Sequence, residues 1–113
     1  MNYFQGEDIA FSISFFDEFQ SVSGFSEFSE IRAYAYTDGC LYQMFSTVDN
    51  KEGYELMTLK NGVIFGIITS EFTSNFHIGD ITIELLGFNG NPQIKHDIGK
   101  KFIGFLHKSL ITE

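Results

Sequence analysis

The sequence predicts an all-β fold: an antiparallel two-sheet β-sandwich of about seven strands, forming one domain over residues 1–113. Three observations carry this reading. Apolar and polar residues alternate with period two along most of the chain, turn residues recur between the alternating runs, and no linker or internal repeat interrupts them. A small barrel is the alternative way to close such strands.

The first run, IAFSISFF at 9–16, sets Ile9, Phe11, Ile13 and Phe15 against Ala10, Ser12, Ser14 and Phe16, a strand with one face in a core. EIRAYAYT at 30–37 places Ile31, Ala33 and Ala35 on one face and Arg32, Tyr34 and Tyr36 on the other. Asp38-Gly39 then turns the chain into CLYQMFST, the strongest hairpin signal present. VDNKEG at 48–53 separates that strand from YELMTL, and KNG at 60–62 links YELMTL to VIFGIITS. A loop at 71–79 leads to DITIELLGF, where Ile81, Ile83 and Leu85 share a face, and NGNP at 89–92 makes another turn.

The last segment, 97–111, reads two ways. Ile98, Phe102, Phe105, Leu106 and Leu110 would line one helix face. Against a helix, Gly104 costs about 1 kcal/mol in a helix interior and no cap precedes the run, so a strand is favoured.

Composition bounds the function. An apolar fraction of 43 % and a charged fraction of 19 % suit a globular chain with a real core. Fourteen Phe and five Tyr exceed what a core of this size needs, so some rings are expected on the surface, covering a neighbour. A net charge of −8 argues against nucleic acid, whose phosphates would be repelled. The charge is also split: Glu7, Asp8, Asp17, Glu18, Glu27 and Glu30 all precede the first basic residue, Arg32, whereas Lys95, Lys100, Lys101 and Lys108 crowd the other end. Adjacent first and last strands would explain the split, as would a dipolar subunit that stacks head to tail. The N-terminus lacks a secretory pattern, and VIFGII at 63–68 is too short to cross a bilayer, so no membrane role and a cytoplasmic or particle location are expected.

Candidate chemistry is sparse. Asp8 and Asp17 are nine residues apart, about 30 Å along one strand, whereas paired-carboxylate hydrolysis needs roughly 5–10 Å. VDNKEGYE approaches a calcium loop, but its Gly falls at the fifth position from Asp49 and Lys51 occupies a ligand position. His77, His96 and His107 lack ligand spacing, no Gly-rich phosphate loop occurs, and Cys40 reads as a small buried or half-buried residue. No catalytic, metal or cofactor site is assigned. The candidate interaction surface is Tyr34, Tyr36 and Tyr42 around the Asp38-Gly39 hairpin, with Lys100 and Lys101, which point to opposite faces of their strand and guard an edge or dock a partner.

QGEDIAFSISFFDE at 5–18, followed by FSEFSEIRAYAYTDG at 25–39, resembles the start of small immunoglobulin-like sandwich domains of bacteriophage and prophage tail or baseplate proteins. The matching positions are Gly6-Glu7-Asp8, Asp17-Glu18, and Phe28-Ser29-Glu30-Ile31 through Thr37-Asp38-Gly39. ITSEFTSNFHIGDITIELLGF at 68–88 looks like the later step of those domains. The resemblance implies an immunoglobulin-like fold and a structural part that oligomerises or sits on a larger tail protein. The expected function is therefore a non-enzymatic structural or interaction subunit of a phage or prophage virion, with other protein subunits as partners. A carbohydrate-binding module using the tyrosines is the alternative, and an acidic mimic of nucleic acid is a third reading.

Overall fold

The computed structural model describes residues 1–14, 28–37, 40–74, 77–90 and 94–109, apart from the side chains of residues 41 and 42. Among the described residues nine strands run in chain order: β1 Asn2–Phe4, β2 Ile9–Ser14, β3 Glu30–Thr37, β4 Cys40–Ser46, β5 Glu55–Leu56, β6 Thr58–Lys60, β7 Val63–Ile68, β8 Gly79–Asn89 and β9 Ile94–His107. A helical turn, α1 at Ser70–Thr73, interrupts what reads in sequence as plain loop.

The strands form two sheets, as expected of a sandwich, but the larger sheet is mixed rather than purely antiparallel. Its order is β1-β9-β8-β3-β4-β5, and the smaller sheet is β2-β7-β6. The parallel pairs are the two outermost ones, β1 with β9 and β4 with β5. Both arise because the chain changes sheets at each side of the sandwich, through β1 to β2 and through β5 to β6.

The crossover from β5 to β6 takes a single residue. Met57 is 2 % exposed and its amide donates to the Ser46 carbonyl at 2.9 Å, so the predicted strand 54–59 is two short strands in different sheets. Asn61 and Gly62, both at positive φ, then make a two-residue turn that pairs Lys60 with Val63. The crossover from β1 to β2 is pinned by α1. The buried Thr73 hydroxyl accepts from the Gly6 amide at 3.1 Å and donates to the Glu7 carbonyl at 2.7 Å, while Asp8 Oδ1 accepts from the Ser70 amide. Asp8 thus holds a turn in place. Asp17, the other member of the carboxylate comparison, lies outside the described residues, as does the Asp38-Gly39 turn, although Thr37 and Cys40 pair where that turn requires.

Alternation assigns the faces. Ile9, Phe11 and Ile13 of β2 oppose Ile68, Gly66 and Ile64 of β7, and this row packs on Ile31, Ala33, Ala35, Phe45, Ile81, Ile83 and Leu85 of the larger sheet. Position 66 must lack a side chain: a Cβ there would lie 2.4 Å from the Phe11 ring, which in turn meets Phe45 edge-on at 5.2 Å between centroids.

The C-terminal segment is a strand, β9, and its helix-like spacing has a definite origin. Its pairing with β8 slips twice, leaving Ile98 and Ile103 without opposite partners. Each slip shifts the alternation by one residue. Apolar positions 98, 103 and 106 therefore all reach the core, although no strict period-two strand would align them. Gly104 follows the second slip, where β1 passes so closely that a Cβ would meet the Met1 carbonyl oxygen and the Tyr3 ring, both at 2.7 Å.

Two buried polar side chains weaken the core. Among the described residues, neither amide atom of Gln43 nor the Thr37 hydroxyl has a hydrogen-bond partner. Gln43→Met should raise unfolding free energy by about 1 kcal/mol in urea titrations, since it removes an unsatisfied buried amide at similar volume. Gly66→Ala should lower it by about 2 kcal/mol through overpacking. The loss should shrink in a Phe11→Leu background, which a double-mutant cycle would measure.

Candidate functional site

The outer face of the larger sheet carries a cluster built on one carboxylate. Glu30, Arg32, Tyr34 and Tyr36 alternate outward along β3. Glu30 is 4 % exposed, yet it faces outward, because the segment 47–54 folds over it. Its carboxylate accepts from Arg32 Nε at 3.0 Å and from a second guanidinium nitrogen at 3.2 Å, a two-point contact, and from the Ser46 hydroxyl at 2.7 Å. Lys51 Nζ lies 3.5 Å away. Ser46 Oγ also accepts from the Val48 amide, and Thr47 bonds to the Ile31 backbone in both directions, which fastens the covering segment to β3.

The Arg32 guanidinium lies 4.0 Å from the Phe88 ring centroid and 5.4 Å from that of Tyr54, so its apolar faces are covered while its edge binds Glu30. Tyr54 meets Tyr34 edge-on at 6.3 Å, and their hydroxyls are 3.2 Å apart. Burial alone pushes the Glu30 carboxyl up. The hydrogen bonds from Arg32 and Ser46 and the charges of Arg32 and Lys51 outweigh it, leaving Glu30 below the usual carboxylate range. Arg32 is held still more firmly protonated by its Glu30 hydrogen bond. Burial and the Tyr54 hydroxyl push the Tyr34 phenol up. Glu30 therefore serves as an electrostatic anchor that ties the covering segment to the sheet.

Of the residues singled out from sequence, Tyr34, Tyr36 and Lys100 share this outer face. Tyr34 opposes Glu84, which opposes Lys100, and Lys100 Nζ approaches the Glu84 carboxylate at 3.9 Å. Tyr36 opposes Thr82, which opposes Phe102. Lys101 points the other way, between the sheets, where its ammonium donates to the Ser12 carbonyl of β2 at 3.4 Å. The Tyr42 side chain lies outside the described residues. Cys40 is exposed rather than buried or half-buried, because it opens β4 at the end of the sheet. His77 and His96 are exposed, and among the described residues no three His, Cys, Asp or Glu side chains gather to hold a metal. No helix among them is long and apolar enough to cross a membrane.

Sequence reasoning missed a second surface, the outer face of the smaller sheet. Phe65 and Ile67 project from β7 with 46 % and 56 % of their surface exposed, and Leu56 stands beside them at 55 %. They border a groove of about 460 Å³ that Ala10, Thr58 and Glu55 also line. The signal was VIFGII itself, which is apolar at both phases of the alternation and so has no polar face to turn to water. No family model, curated protein or solved structure matches the chain.

Glu30→Gln should cost about 2 kcal/mol at neutral pH, since it leaves Arg32 and Lys51 facing a neutral amide. Because folding lowers the Glu30 pKa, its contribution is complete above the ordinary glutamate value of about 4.3 and is lost as pH falls through the folded value. The stability gap between wild type and Glu30→Gln should accordingly narrow below about pH 4.3 in denaturation curves taken at stepped pH.

Proposed function

We propose that this chain is a non-enzymatic structural or interaction subunit of a phage or prophage tail or baseplate, acting through contacts with copies of itself or with other particle proteins. The observation that carries the reading is a cluster of large apolar side chains on the outer face of the smaller sheet, with one further exposed ring on the opposite face. Phe65, Ile67 and Leu56 stand on one, and Phe102, 57 % exposed, stands on the other. The contiguous group Phe65, Ile67 and Leu56, left in water on a small domain, favours burial against further protein. The resemblance of the opening segment to immunoglobulin-like tail domains supports the tail assignment.

The tyrosines favour a protein partner over a sugar. A sugar platform needs an open aromatic face, and Tyr34 is half-buried, with Tyr54 against its ring and on its hydroxyl. Light scattering behind size exclusion should show a defined oligomer, or the domain should co-purify with particle proteins. A monomer at high concentration that captures no such protein would overturn the proposal.

A further inference from the structure

The sheets end in four strands, β1 and β5 in the larger and β2 and β6 in the smaller. β1, β5 and β6 are two or three residues long, and the lengths of β9 and β4 that they leave uncovered are bent by register slips. Short strands and bulges both blunt an edge against pairing. β2 differs: its six residues, IAFSIS, keep one register with β7 and carry no charge or proline. Its backbone direction follows from the β6–β7 hairpin. Lys60 and Val63 flank a two-residue turn and so exchange hydrogen bonds, which points Val63, Phe65 and Ile67 towards β6 and Ile64, Gly66 and Ile68 towards β2. Ile9, Phe11 and Ile13 therefore bond to β7, and the N–H and C=O groups of Ala10, Ser12 and Ser14 face away from it. The Lys101 bond to the Ser12 carbonyl agrees with that direction. Among the described residues no strand pairs on this side, and a cleft of about 280 Å³ opens there, lined by Tyr3, Ser12 and Lys101.

About a two-fold axis at Ser12, this edge is complementary to itself. Ser12 would oppose Ser12 of a second copy and Ala10 its Ser14 on one face, with Phe11 against its Ile13 on the other. Small residues meet small ones and apolar residues meet apolar ones. Lys101 stands in the way. The first slip of β9 turns it between the sheets, opposite Ile83, and its ammonium donates at 3.4 Å to the Ser12 carbonyl, an acceptor that an added strand needs. We propose that Lys101 decides how copies of this chain meet, by keeping their β2 edges apart and leaving assembly to other surfaces. A strand arriving at β2 must displace the ammonium or bury it under the new ladder, which costs its hydration. The two-fold axis would also bring the two lysines together, like charge against like. The inference goes beyond the subunit reading and does not depend on it.

The test compares the full chain with Lys101→Met, which keeps the side-chain length and removes the charge, and with Lys101→Arg, which keeps both. At equal concentration Lys101→Met should form a species of at least twice the wild-type mass by light scattering. Its Ala10 and Ser12 amides should exchange with solvent about tenfold more slowly than those of the wild type. Lys101→Arg should match the wild type in both measurements. Adding Ser12→Pro to Lys101→Met should restore the wild-type mass, because it deletes a backbone donor that no strand of the sandwich pairs and the added ladder requires. Impaired folding could not produce that reversal. A Lys101→Met chain of wild-type mass would overturn the role given to Lys101. So would a larger species that persists with Ser12→Pro or leaves the Ala10 and Ser12 amides unprotected. Each arm is read against the wild-type assembly state, so its failure leaves the subunit reading to its own experiment.

Discussion

Packing an aromatic ring flat against a neighbouring strand is possible only where that strand carries no Cβ, and the core of this sandwich depends on that exchange twice. The Phe11 ring lies over Gly66 of the adjacent β7, and the Phe28 ring over Gly87 of β8, where an added Cβ would come within 2.5 Å. One pair belongs to each sheet. A ring lying along its own sheet fills the row without pushing the opposite sheet away, which suits the roughly 10 Å separation of packed sheets. With the sheets this close, a single residue, Met57, suffices to carry the chain from one to the other, and the turn at Gly6–Asp8 does the same on the far side.

Much of this was legible in the residues. β2, β3 and β8 alternate cleanly because each has one face in the core and one outside, the condition under which period two survives in sequence. Asn61-Gly62 located the hairpin between β6 and β7, and the pairing of Thr37 with Cys40 joins β3 to β4. The rest failed for identifiable reasons. β1 is three residues long and has no pattern to read, and its parallel pairing with β9 depends on a partner a hundred residues away. YELMTL concealed a change of sheet because Met57 is apolar in either strand. The final strand resembled a helix because two bulges displaced its phase.

The candidate surface was legible in part. Tyr34 and Tyr36 share a face, as period two requires, whereas Lys100 joins them only because the first slip of β9 reverses its side. In sequence Glu30 is one of six acids that precede Arg32, and only tertiary covering by the segment 47–54 makes it the hub of a buried network. The Glu-x-Arg spacing was a usable clue, since residues two apart on a strand project to the same side. Nothing local announces that Lys51 and Tyr54 will close over them.

The two bulges of β9 cancel one another. Lys95 and Asp97 face outward before the first, and Phe105 faces outward after the second. Positions 99 to 103, from one slip to the other, have their sides exchanged. Without that exchange Phe102 would sit between the sheets and the Lys101 ammonium would lie in water. The inverted stretch therefore swaps an ordinary core residue for a charged one at the open flank of the sandwich. There the Lys101 side chain bars an approaching strand from the β2 backbone, and the displaced phenyl ring becomes surface. Protection of an edge and exposure of a phenyl ring are thus two outcomes of one change in strand parity, and neither can be lost without the other.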